Sequence, residues 1–296
     1  MATPVPAVER ASRILGLLAE KPDLPRSLTD IAGTLQIHKG TCHSILAALA
    51  ASGFVVRDDR TRTWGLGSGA VELGLAAVGR IGAAGAAVRE MHRLHETLGA
   101  SVLVAALLGE ELVVIAGVGD AAVAQIGTRQ CLVPPMGLVF KAWDDPAETE
   151  AWLAGLGAPQ SAAYARQALD SARRRGFVLG LEHAGEEEVH SQIRRILRCG
   201  DPEQRVDLAL ELADLLRSNG YSPTDTSWPE DRRVRFMSAP VLRGGPVELA
   251  ITLFDIPGEV PVVQLERWAQ ELLGATRRAA SPDPLSAPSF AREDTT

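Results

Sequence analysis

In the first quarter of the chain, the residues with chemistry to offer are donors suited to a polyanion. Lys39, Gly40, Thr41, His43 and Ser44 lie within six positions, and Arg57, Arg60 and Arg62 follow in one charged run. If Lys39 opens a helix, those five positions face solvent while Cys42, Ile45, Leu46 and Leu49 face inward. Free backbone N–H groups in the first turn, at Gly40 and Thr41, favour phosphate. Ammonium, hydroxyl and imidazole groups can address base edges, and arginines on a hairpin tip can hold backbone phosphates. Ser27, which opens the preceding helix, joins this candidate DNA-contacting set.

Other chemistry finds less support. His92 and His95 stand at i, i+3 with Glu96 beside them, which suits a metal pair. No third ligand follows at useful spacing, so they read as surface residues. Glu182 and His183 are adjacent, which is not catalytic geometry. The chain has no G-x-S-x-G elbow, no P-loop and no dinucleotide-binding glycine triplet. No catalytic residue, metal site or cofactor is therefore expected, and a small-molecule enzyme stands as the lesser alternative. Cys42, Cys131 and Cys199 are too scattered for a zinc knuckle and too few for a disulfide framework, so reduced thiols fit best.

Positioning the donors takes three helices and a hairpin. Val8, Ala11, Leu15 and Leu18 have helical spacing, which stops at Pro22 and Pro25. Ser27 and Asp30 make a near capping box for a second helix striped by Leu28, Ile31, Ala32 and Leu35. A tight break at Gln36–His38 leads into the third helix, which stops at Ser52-Gly53. Phe54–Val56 and Trp64–Gly67 flank the charged tip Arg57–Arg62 as two short strands. Together these form a winged helix-turn-helix, whose third helix enters the major groove. Residues 69–98, rich in Gly and Ala, read as one linker helix. Val71, Leu75, Val78 and Ile81 lie near one face of it, which packs on a partner subunit.

The second half mixes strands and helices. Ser101–Leu108 and Leu112–Val118 flank Gly109-Glu110-Glu111 as a hairpin. Arg235–Leu242 and Val247–Phe254 flank Arg243-Gly244-Gly245-Pro246 as another. Asp145-Pro146 starts one helix, Arg173–Arg175 end the next, and a last amphipathic helix spans Val262 to Arg278. Further helices are expected over Glu186–Arg198 and from Asp201-Pro202. The second has Val206, Leu210 and Ala213 on its apolar face, with Leu208, Leu212 and Leu215 beside them. The tail 281–296 is rich in Pro and Ser and reads as disordered.

The formal charge is −7, yet the first 69 residues carry eight Lys and Arg against six Asp and Glu. A basic head on an acidic body suits a protein whose first part alone touches phosphate. No apolar run is long enough for a membrane span, and the N-terminus lacks a secretion signal. A cytoplasmic protein without a membrane partner is expected.

The run AVERASRILGLLAE, followed by SLTDIAGTLQIHKGTCHSILAALAASGFVVRDDRTRTWGLGSGAVELG, resembles the N-terminal domain of the IclR family of transcriptional regulators. The resemblance rests on Leu28, Ile31, Ala32, Lys39, Thr41, His43, Leu46, Leu49, Gly53, Arg57, Leu66 and Gly67. Where the family has Pro, Ser and Arg in the recognition helix, this chain has His38, Gly40 and Ser44. The missing Arg removes a phosphate or guanine contact.

The second half resembles the family's effector-binding domain through Cys131–Gly137, Arg175-Gly176-Phe177 and Met237–Val241. The implied fold is α+β: a winged helix-turn-helix over 1–68, a linker helix over 69–98, and a GAF-like antiparallel sheet flanked by helices over 99–280. The implied partners are double-stranded operator DNA and a small-molecule effector, in a homodimer or a dimer of dimers. The candidate effector-binding residues are Cys131, Leu132, Met136, Gly180, Phe236, Ser238, Thr252 and Phe254. In members that bind small carboxylates, an Asp, a Cys and two Ser hold the ligand. Gly180, Phe236, Thr252 and Phe254 stand at the matching positions. Losing the acid and gaining two aromatic rings suits an apolar or aromatic effector, or a ligand-independent regulator whose rings fill the pocket. About sixty residues separate Phe177 from Met237, longer than in the family. That places a helical insertion at 183–232, which could cover the pocket, bind a partner or cap the domain's own core.

Overall fold

The computed structural model describes residues 5–20, 24–79, 81–119, 126–156, 159–182, 188–189, 191–192, 195–196, 199, 202–218, 227–228, 233–257 and 260–281. The chain divides into two compact units, Met1–Arg80 and Ile81–Thr296.

The first unit contains α1 (Pro6–Glu20), β1 (Arg26–Ser27), α2 (Leu28–Leu35), α3 (Lys39–Ala51), β2 (Val55–Asp58), β3 (Thr63–Leu66) and α4 (Ser68–Gly79). Its three strands pair antiparallel in the order β1-β3-β2. Ile14, Leu17, Leu18, Ile31, Ala32, Ile37, Cys42, Leu46, Val55 and Trp64 form its core. Burial pushes the Cys42 thiol pKa up, as befits a packing residue. The stripe expected on α1 is corrected: Val8 is 62% exposed, and Ile14, Leu17 and Leu18 are the buried set. The helix carries apolar residues on more than one side, and packing against α2 and α3 selects the i, i+3, i+4 set.

The single linker helix is also corrected. α4 ends at Gly79 and α5 (Ala84–Leu98) begins five residues later. Glycines at 79 and 82 weaken a helix there, and the Ala84 N–H donates to Ile81 O at 2.9 Å to start a new turn. Val71, Leu73 and Leu75 of α4 are all at least 60% exposed.

The second unit continues with β4 (Ser101–Leu108), β5 (Glu111–Val118), β6 (Arg129–Cys131), α6 (Leu138–Lys141), α7 (Pro146–Ala154), α8 (Pro159–Arg175) and β7 (Val178–Leu181). After these come α9 (Pro202–Ser218), β8 (Val234–Pro240), β9 (Leu249–Phe254) and α10 (Val262–Ala280). The six strands form one antiparallel sheet in the order β6-β5-β4-β9-β8-β7. In the β4–β5 hairpin Leu108 pairs with Glu111, so the turn is Gly109-Glu110, with Gly109 at φ +65°.

Both faces of the sheet are covered, which explains why its strands read as nearly continuous apolar runs. Val102, Val104, Ala106, Met237, Ala239, Ile251 and Leu253 are buried on the side of α5 and α10. Leu112, Val114, Val178, Phe236, Ala250 and Phe254 pack with residues of α6, α7 and α8 on the other. Asp145 caps α7 through a 2.9 Å bond from the Ala147 N–H, with Pro146 at the first helical position.

The expected apolar face of α9 is shifted. Leu208, Ala209, Ala213 and Leu216 are buried, whereas Val206 is exposed. The cause is the two surfaces that α9 covers: Leu208 and Ala209 pack with Ile196 against Cys131 and Val133, and on the side of α8 Ser161 Oγ donates to Asp214. Arg195 pairs with Gln192 and Glu211. His183, Glu186, Glu187, Arg194, Arg198 and the tail from Pro282 onward lie outside the described residues.

Candidate nucleic-acid interface and effector face

Two short caps hold α2 and α3 at their turn. The Ser27 hydroxyl accepts the Asp30 N–H at 3.2 Å and donates to Asp30 Oδ2 at 2.6 Å, while the Ser27 N–H donates to the same carboxylate at 3.2 Å. These bonds, the Ser27 hydroxyl's first, hold the Asp30 pKa below the ordinary carboxylate value. Ser27 therefore stands at a helix start with both its N–H and its hydroxyl proton engaged.

Gln36 closes α2 in the left-handed conformation, φ 54°, and the Ile37 N–H bonds back to Ala32 O at 2.9 Å. His38 then caps α3: its Nδ1 accepts the Gly40 N–H at 3.3 Å. Because Nδ1 accepts, the neutral ring carries its proton on Nε2, which is then the ring's one donor. The cap is not legible in the sequence, since histidine is not among the usual capping types.

Lys39, Gly40, His43 and Ser44 are exposed and Thr41 is half-buried, while Cys42 and Leu46 on the opposite side are fully buried. The Ser44 hydroxyl donates to Gly40 O at 3.1 Å, so its oxygen presents lone pairs outward. The structure thus brings all five α3 candidates onto the first two turns of one helix.

The hairpin tip is braced by bonds within it. Asp58 Oδ1 accepts the Arg60 N–H at 2.8 Å and the Thr61 N–H at 3.3 Å, and Arg62 takes φ +58°. Hydrogen bonds from the Thr61 side chain and from both N–H groups hold the Asp58 pKa below the usual carboxylate value. Arg57 lies 5.9 Å from the Trp64 ring centre and 3.5 Å from Asp59. Arg60 and Arg62 are exposed and form no ion pair among the described residues. Gly67, where the hairpin ends, must be glycine: a Cβ there would sit 2.3 Å from Gly53 O.

In the second unit the candidate effector residues fall into separate places. Phe236 and Phe254 pair across β8 and β9 and share a core cluster with Leu132. Gly180 lies opposite Phe236, and a Cβ on it would meet the ring. Ser238 and Thr252 are directly paired, their hydroxyl oxygens 2.7 Å apart. Cys131 packs instead on a different cluster, with Val133, Cys199, Ile196, Leu208 and Leu212. Met136 is exposed. The loop before α6 is held by Trp152, whose indole N–H donates to Leu132 O.

His95 Nδ1 lies 2.8 Å from Ala100 O at the end of α5, and His92 is exposed. Among the described residues no group of three His, Cys, Asp or Glu could hold a metal ion. No described helix is long and apolar enough to cross a membrane.

Comparison with known proteins gives a consistent answer. Residues 7–59 match the IclR helix-turn-helix domain. The chain is 30% identical over 199 residues to the glycerol operon regulatory protein of Streptomyces coelicolor, covering 63% of this chain and 77% of that one. Two solved structures share its fold. An IclR transcriptional regulator from Alicyclobacillus acidocaldarius gives a TM-score of 0.60 at 20% identity, covering 94% of this chain and 98% of the other. HmgR from Pseudomonas aeruginosa gives 0.59 at 24%, covering 93% and 98%.

Proposed function

The chain belongs to the IclR family of transcriptional regulators, and from that premise we propose that it reads operator DNA with α3 and clamps it with the β2–β3 wing. It is a regulator rather than an enzyme. The observation that carries this assignment of contacts is the exposed donor row on α3, backed by the buried Cys42 and Leu46. Lys39, Thr41 and His43 address the major groove, and Gly40 lets the helix N-terminus approach the phosphate closely. The Ser44 oxygen, whose proton is held by Gly40 O, accepts from a base-edge donor. Arg57, Arg60 and Arg62 hold the backbone. Ser27 acts by fixing α2. Fluorescence anisotropy with duplex DNA from upstream of the chain's own gene tests this. Lys39→Ala and His43→Ala should cut binding to that DNA more than binding to scrambled DNA.

Operator affinity is modulated by a small apolar or aromatic molecule held against Phe236 and Phe254, with the Ser238–Thr252 hydroxyl pair as its polar anchor. Such a ligand would shift the population between two arrangements of the recognition helices. Calorimetric titration discriminates: tight binding of glyoxylate or pyruvate would contradict an apolar site. A second reading, a regulator whose rings fill the pocket, is favoured by the burial of Phe236 and Phe254 to 7% and 9% exposure. It expects no aromatic ligand to bind this face.

The working form is a cytoplasmic homodimer or dimer of dimers, as near-palindromic operators require. The exposed Val71, Leu73 and Leu75 of α4 supply an apolar surface for a second copy. Sedimentation of the full chain, with and without Leu73→Glu and Leu75→Glu, tests that form.

A further inference from the structure

Away from Phe236 and Phe254, the C-terminal ends of α8 and α10 border a surface cleft of about 560 Å³. It is lined by Arg173, Arg174, Arg175 and Arg277, with Trp143, Leu242 and Leu273 as its main apolar contributors. No acidic residue lines it, although the chain as a whole carries −7.

The four arginines are not equivalent. Arg173 donates to Ala142 O and to Asp170 Oδ1 at 2.9 Å, and Arg175 donates to Ser227 O at 2.7 Å. These two guanidinium groups are held in place by the protein. Arg174 and Arg277 are exposed and form no ion pair among the described residues.

Basic residues at helix ends ordinarily offset the helix dipole, so the magnitudes decide whether charge is left over. Each helix C-terminus carries about half a negative charge. Asp170 opposes Arg173 and the protein already engages Arg175, so the two helix ends together oppose about one of the two charges of Arg174 and Arg277, leaving a surplus of about one. A phosphate group on an apolar body suits the Arg174 and Arg277 forks and the Trp143, Leu242 and Leu273 walls, because guanidinium forks bind phosphate oxygens in pairs.

We propose that this cleft binds a phosphate monoester carrying an apolar or aromatic body. None of its lining residues belongs to the candidate effector set, so this is a second ligand site. Arg278, next to Arg277, holds Glu90 of α5 at 2.9 and 3.0 Å. An occupant of the cleft therefore sits one residue in sequence from an ion pair between α10 and α5.

The test is calorimetric titration of the full chain with adenosine 5′-monophosphate and with phenyl phosphate, using adenosine and inorganic phosphate as controls. Saturable binding of a monoester is expected, weakened about tenfold by Arg174→Ala or Arg277→Ala, a loss typical of one charge-assisted bond. Arg267→Ala, an exposed arginine elsewhere on α10, should leave it unchanged. Binding of phenyl phosphate without the nucleotide would narrow the class to compact aryl phosphates, and the reverse to nucleotides. No saturable binding of either monoester, or binding unaltered in the Arg174→Ala/Arg277→Ala double variant, overturns the proposal. Inorganic phosphate binding as tightly as the esters overturns the apolar part of the site.

Discussion

A Cβ on Gly180 would lie 2.0 Å from Cε1 of Phe236, so the phenyl ring occupies the space that a side chain at position 180 would need. The two residues face each other across β7 and β8. The absence of a side chain at 180 and the ring at 236 are thus complementary in packing. Gly180→Ala should lower stability by about 1–3 kcal/mol through overpacking. Most of that loss should disappear when Phe236 is also replaced by alanine. Denaturant unfolding of the two single variants and the double variant measures it, and strictly additive losses would count against the complementarity.

The Ser27–Asp30 cap makes a pH prediction. The folded-state pKa of Asp30 is depressed, so its contribution is present above the ordinary carboxylate pKa and is lost as pH falls through the folded value. Asp30→Asn should therefore be less stable than the parent at pH 7, and the gap should close in acid. A gap that stays constant from pH 7 down to pH 2 would show that the carboxylate is not the capping group.

Gly40 sits inside α3 with only ordinary contacts waiting for a side chain. A Cβ there would lie 3.4 Å from His38 Nδ1. Gly40→Ala should stabilise the first unit by about 0.5–1 kcal/mol while keeping the His38 cap. Weaker DNA binding by this more stable variant would mark the position as a site of close approach to phosphate. Unchanged binding would make Gly40 dispensable to recognition.

The unpaired wing arginines predict a salt effect. Replacing Arg60 and Arg62 by alanine should weaken binding on every DNA sequence and reduce the log–log salt slope by about one unit per phosphate contact. Arg57, held by Asp59 and Trp64, should contribute less because part of its charge is already opposed. A slope unchanged in the Arg60→Ala/Arg62→Ala variant would place the wing off the DNA.

Where structure depended on local chemistry, it was legible in the sequence. Ser27 with Asp30 and Asp145 with Pro146 each encode their geometry within four residues and appear as read, and the Gly109 turn is found one residue shorter than read because Glu111 joins the strand. The α3 donors were legible because Cys42 and Leu46 fix the helix's buried side. What escaped was set by distant partners. α1 and α9 each offered more than one apolar face, and the helices they pack on made the choice. The split between α4 and α5 arose where several small residues gave no clear signal for or against a helix. The Gly180–Phe236 fit depends on cross-strand register between segments far apart in sequence, with a bulge at Gly180/Leu181, which no local pattern reports. For the same reason Cys131, adjacent in sequence to Leu132, packs on a different cluster from it.

The most direct test of the central claim is titration of the full chain against DNA from upstream of its own gene, beside scrambled DNA, across a range of salt. Saturable binding that prefers the upstream duplex, weakens steeply with salt, and loses its preference in Lys39→Ala and His43→Ala is expected. Equal affinity for both duplexes, or a preference untouched by those two substitutions, would contradict α3 as the reading element.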